Sequence, residues 1–105
     1  VNAPTHQLLI YDLAPDYLSR RGQFREEHLR LAWEAADRGG LVLGGAVGDP
    51  VESALLLFRD RASAEAFAAA DPYVSQGLVR SWRVQPWLTV VGADAATPLR
   101  PGTDV

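Results

Sequence analysis

Between Pro4 and Pro15, residues Gln7 to Ala14 alternate loosely between apolar and polar, the pattern of a β-strand. The period then lengthens. From about Gln23 to Arg38 the positions Leu29, Ala32, Trp33 and Ala36 recur at helical spacing and Gly39-Gly40 ends the run, with a start anywhere from Asp16 to Gln23. Two strand-length apolar runs, residues 41–47 and 53–59, flank Gly48-Asp49-Pro50, a turn signal that makes them a hairpin. Ser63 reads as the N-cap of a second helix, with Glu65 near the positive end of its dipole and a core face of Ala64, Phe67, Ala68 and Asp71. Pro72 stops that helix. Residues 79–91 alternate around Trp82 and Val84 as a last strand that runs past Pro86, which marks an edge or a bend. Residues 92–105 form a polar, proline-bearing, loosely held tail, and His6 falls in a disordered start.

The order strand, helix, strand, strand, helix, strand with a right-handed split crossover predicts an α+β fold. It is a ferredoxin-like βαββαβ sandwich with two helices on one face of a four-stranded antiparallel sheet. Residues 1–105 make a single domain with a core from about 7 to 91. The other sheet face is bare, lined by Leu9, Tyr11 and Leu13 or by the alternate set Leu8 and Ile10. A homodimer would cover such an apolar surface.

Composition removes several chemistries. All ten basic residues are arginine and there is no cysteine, which rules out lysine nucleophiles, Schiff bases, thiol catalysis and thiolate metal sites. Net charge is −3, with the arginines spread along the chain, so no nucleic-acid partner is expected. The start of the chain lacks a signal pattern and no apolar run approaches a membrane span, so a cytoplasmic protein with no membrane contact is expected. His6 and His28 are the only histidines, and no glycine loop suits a phosphate. No metal and no cofactor is expected.

The candidate site is Asp71-Pro72-Tyr73 together with Arg25 and His28. In this topology the helices run antiparallel, which brings the end of the second near the early turns of the first. Asp71 on the Phe67 face then meets His28, an acid/base pair, and Arg25 one turn earlier suits a substrate carboxylate. Tyr73 offers a phenolic hydroxyl to the same cleft, and Gly44-Gly45 lets a ligand approach the backbone. Trp33, Trp82 and Trp87 read as core or interface residues.

The run Ala70-Asp71-Pro72-Tyr73-Val74, then Gly77-Leu78, then Val84-Gln85-Pro86-Trp87, together with Arg25 and His28-Leu29, resembles the YciI-like (YCII-related) proteins. The resemblance extends from about residue 7 to residue 91. It implies a dimeric ferredoxin-like α/β barrel, related in fold to muconolactone isomerase and to small polyketide cyclases and monooxygenases, with a site centred on histidine and aspartate. Residue by residue, the implied catalytic dyad is His28 and Asp71, with Arg25 in the family's arginine position. Position 81 holds Ser81 where at least one relative has a histidine, so Ser81 joins Arg25, Tyr73 and Gly45 as a substrate-binding candidate. The expected function is a small cofactor-free enzyme doing isomerase- or lyase-like acid–base chemistry on a small organic acid or lactone. The alternative is a non-catalytic dimeric module that binds a small anionic ligand, its Arg25, His28 and Asp71 forming a structural network.

Overall fold

The computed structural model describes residues 3–102. Strand β1 (His6–Leu13) leads into a short helix α1 (Tyr17–Arg20), a single 3₁₀ turn (Arg21–Gln23) and the main helix α2 (Arg25–Asp37). The interruption at Gly22 explains why the sequence left the helix start open between residues 16 and 23. Gly39, at φ 85°, adopts the left-handed conformation that closes a helix, its N–H reaching the Ala36 carbonyl. Strands β2 (Leu41–Gly48) and β3 (Val51–Phe58) form the expected hairpin. Gly48 is required there: at φ 108°, an added Cβ would lie 2.7 Å from the Pro50 carbonyl oxygen.

Helix α3 (Arg61–Ala70) has its cap three residues earlier than expected. Asp60 is the N-cap, its carboxylate accepting from the Ser63 amide at 2.8 Å and from the Ser63 hydroxyl at 2.9 Å. Ser63 is therefore inside the helix, bonded to the cap. Pro72 forces Asp71 out of the helical region, to φ −71° and ψ 122°, and opens a second short helix α4 (Pro72–Ser75). Strand β4 (Val79–Trp87) ends earlier than residue 91 because its partner does: His6, the first residue of β1, pairs with Trp87.

The strands are all antiparallel in the order β2-β3-β1-β4, the ferredoxin-like arrangement. Alternation on β1 sends Leu9, Tyr11 and Leu13 into the core with Leu56, Phe58 and Val84, beneath Ala64, Phe67 and Ala68 of α3. The expectation that Leu9 and Tyr11 need a partner subunit is thus corrected, since the helices cover them. The alternate set faces the bare side, where Leu8 and Ile10 lie across from Leu57 and Leu55 and join Leu43 and Val47.

The ends of the described chain are better held than their composition suggests. His6 is buried and its Nδ1 meets the Thr89 hydroxyl at 2.7 Å. Hydrogen bonds from the Thr97 amide to the Thr89 carbonyl and from the Leu99 amide to the Val90 carbonyl, with the Thr97 hydroxyl on the Pro4 carbonyl, fold residues 89–99 back onto the start of β1. Trp33, Trp82 and Trp87 are all exposed, so none belongs to the core. Among the described residues no helix is long and apolar enough to cross a membrane.

Candidate active site

Leaving α3 at Asp71 turns its carboxylate inward, where the side chain is wholly buried. A carboxylate at the C-terminus of α3 would face the unfavourable end of the helix dipole; instead Asp71 caps the following helix, accepting from the Tyr73 amide at 3.0 Å. Two more donors meet it. The Tyr11 hydroxyl, rising from the middle of β1, reaches Oδ2 at 2.8 Å, and His28 Nδ1 lies 2.9 Å from Oδ1 and 3.0 Å from Oδ2. A buried carboxylate is tolerable only when its lone pairs are satisfied in this way.

The same contacts fix the histidine. A carboxylate accepts and does not donate, so the proton between the two groups belongs to Nδ1, and Nε2 of neutral His28 keeps a free lone pair. Nε2 has no protein partner among the described residues, and no buried side-chain polar atom is left unsatisfied, so it opens to the cleft. The ring is held on its face by Tyr73, stacked with centroids 4.0 Å apart at 10°, and at its edge by Phe67, at 5.8 Å and 72°. Only 15% of the His28 side chain is exposed.

Tyr11 and Tyr73 differ in role. Burial first, then the charge of Asp71 and the hydrogen bond to it, holds the Tyr11 phenol far above its ordinary range, so it remains a donor. Tyr73 is pushed up to about 12, chiefly by burial, while Arg25 and Arg21 pull the other way.

Above His28 lies a cleft of about 330 Å³ between α2 and the hairpin. The sequence's helical stripe lines it and is not sealed in the core: Leu29 is 42% and Trp33 66% exposed. Gly44, Ala46, Ala54 and Leu56 form the opposite wall. Gly44 makes the room, because a Cβ there would sit 3.2 Å from Leu56 Cγ. Gly45 also borders the cleft, but a Cβ on it would meet nothing within 4 Å. Arg25 stands exposed at the first turn of α2, on the cleft wall.

The structure therefore brings Arg25, His28, Tyr73 and Gly45 to one cleft with Asp71 directly behind. Ser81 is elsewhere. It is exposed on β4 opposite Asp12 and does not line the cleft of this chain. Two residues escaped the sequence reading: Tyr11, which was read only as an apolar strand position, and Arg21, which lies in the 3₁₀ turn and lines the same cleft.

An antiparallel βαββαβ sheet that packs a buried carboxylate against a histidine beneath an open cleft defines a class of small ferredoxin-like α+β domains. Within that class the chain belongs to the YCII-related domain family, whose model matches residues 6–88. A solved structure of similar fold is 5-chloro-2-hydroxyhydroquinone dehydrochlorinase from Burkholderia phenoliruptrix, in complex with 2,5-dihydroxybenzoquinone. It superposes with a TM-score of 0.65 at 18% identity, covering 80% of this chain and 94% of that one. No curated protein matches the chain.

Proposed function

We propose that the protein is a small cofactor-free enzyme that uses His28 and Asp71 for acid–base chemistry, an isomerisation or an elimination, on a small organic acid or lactone-like ring compound. The observation that carries this reading is the hydrogen bond from His28 Nδ1 to a wholly buried Asp71, with Nε2 turned to an open cleft. Nε2 would take a proton from substrate carbon or hydroxyl, Asp71 would stabilise the imidazolium formed, and Arg25 would hold the substrate's acidic group. In an isomerisation the imidazolium returns the proton to another substrate atom. In an elimination the C–H electron pair becomes the new double bond and the leaving group departs with the pair from its own bond. The similar structure named above is a dehydrochlorinase, and loss of hydrogen chloride is an elimination of this kind.

A closed, dry cleft would have favoured the purely structural network, whereas this one is open. The test is a panel of lactones and hydroxylated or halogenated cyclic acids, followed by NMR for solvent-deuterium incorporation and product. His28→Gln should lower turnover by about 10²- to 10⁴-fold, the usual share of general acid–base catalysis. Turnover that survives His28→Gln contradicts the reading.

The reading includes a homodimer through the bare sheet face, since the half-buried Leu8, Ile10, Leu55 and Leu57 share with Leu43, at 73% exposure, the apolar face that the helices leave uncovered. Light scattering at micromolar concentration should give twice the monomer mass, and Ile10→Glu should halve it. A parent protein that scatters as a monomer removes this part of the reading.

A further inference from the structure

The polar end of the cleft carries more positive charge than one carboxylate needs. Arg21 and Arg25 both line it, and no aspartate or glutamate does. Elsewhere Arg20, Arg30, Arg61 and Arg80 each pair with a carboxylate. Neither Arg21 nor Arg25 has an ion pair among the described residues; Arg21 instead lies 5.7 Å above the Tyr17 ring. Asp71, wholly buried behind His28, accepts from three internal donors.

Tyr73 ties the two guanidiniums to one place. Its phenol feels both Arg25 and Arg21, and its hydroxyl has no partner in the chain among the described residues, although the residue as a whole is buried. Its free O–H thus shares one cleft with both cations. The remaining walls, Leu29, Trp33, Gly44 and Leu56, are apolar, and about 330 Å³ lies at the small end of ligand pockets, the size of a single ring.

We propose that Arg21 and Arg25, together with the Tyr73 hydroxyl, bind two acidic oxygen groups of a dianionic substrate whose apolar ring lies against Leu29 and Gly44. A monoanion would leave one guanidinium uncompensated beside a histidine that becomes cationic during the reaction. A dianion balances the pair before chemistry begins. Arg21 is then the residue that separates dianions from monoanions, and Arg25 serves both. This inference rests on the cleft being the substrate site, but its test does not need turnover.

The experiment is isothermal titration calorimetry with phthalate and isophthalate as dianions and benzoate as monoanion, at low ionic strength, on the parent, Arg21→Gln, Arg25→Gln and His28→Gln. In the parent a dianion should bind at least about tenfold more tightly than benzoate, as expected for one additional charge-assisted contact. Arg21→Gln should remove that preference and leave benzoate within about twofold, while Arg25→Gln should weaken both by about tenfold. Circular dichroism and melting confirm that each variant is folded. Equal affinity of the parent for dianions and benzoate overturns the proposal, as does an unchanged preference in Arg21→Gln or no binding of any probe at millimolar concentration. His28→Gln should still bind dianions. Loss of the dianion preference alongside His28-dependent turnover would sink the clamp alone, and dianion binding without any turnover would sink only the enzymatic reading.

Discussion

Tyr11→Phe removes a single oxygen from the centre of the molecule, and its cost follows from what that oxygen touches. The hydroxyl donates at 2.8 Å to Asp71 Oδ2, both residues being wholly buried, so no water replaces it. A hydrogen bond to a charged group is worth about 1.5–3 kcal/mol. Asp71 keeps the Tyr73 amide and His28 Nδ1, so the fold survives the loss. For a domain of this size each kcal/mol moves the melting temperature by about 4–8 °C, which predicts a fall of roughly 6–24 °C. Tyr73→Phe is the matched control. It deletes the same atom from a residue that is also buried, yet that hydroxyl has no partner in the chain among the described residues, so the change should stay within about 0.5 kcal/mol. Urea and thermal unfolding of the parent and both variants measure the difference. If Tyr11→Phe is as mild as Tyr73→Phe, the Tyr11 bond does not hold Asp71 in place.

Asp60→Ala should cost about 1 kcal/mol as a lost helix cap, visible as a lower urea midpoint with an unchanged slope, whereas a larger loss from Ser63→Ala would restore Ser63 as the cap. Gly44→Val should fill the cleft against Leu56 and abolish binding of any aromatic acid by calorimetry while leaving the sheet intact by circular dichroism; binding at parental affinity would show that ligands lie elsewhere. Tyr73 titrates near 12 when folded against 10.0 ordinarily, so its contribution is complete below pH ~10 and fades as pH rises toward 12. Unfolding at graded alkaline pH should therefore lose stability more steeply in the parent than in Tyr73→Phe, and parallel curves would refute the shift.

The order of elements was legible because their punctuation is local: Gly39-Gly40, Gly48-Asp49-Pro50 and Pro72 each end an element within a few residues. The meeting of His28 with Asp71 followed from antiparallel helices alone. Tyr11 was not legible. Both faces of β1 carry apolar side chains, so a period of two could not say whether Leu9, Tyr11 and Leu13 or Leu8 and Ile10 meet the helices, and the Tyr11 hydroxyl gains its meaning only from a residue sixty positions away. The cap was misplaced because Asp60 and Ser63 are both capping types three residues apart, and only the direction of their hydrogen bond separates them. Arg21 was hidden in an irregular turn with no periodicity to place it. His6 and Thr89 meet across most of the chain, a contact that composition cannot announce.

The proposed acid–base chemistry turns on which nitrogen of His28 faces the cleft with a free lone pair. Nitrogen-15 NMR of the neutral His28 ring, assigned by its loss in His28→Gln, reads this directly and needs no substrate. The proton should reside on Nδ1, with Nε2 showing the shift of an unprotonated ring nitrogen, and Asp71→Ala should return the ring to the Nε2–H form usual for free histidine. A neutral parent ring protonated on Nε2 would mean that Asp71 does not set the tautomer, and His28 could not be the base that the cleft presents.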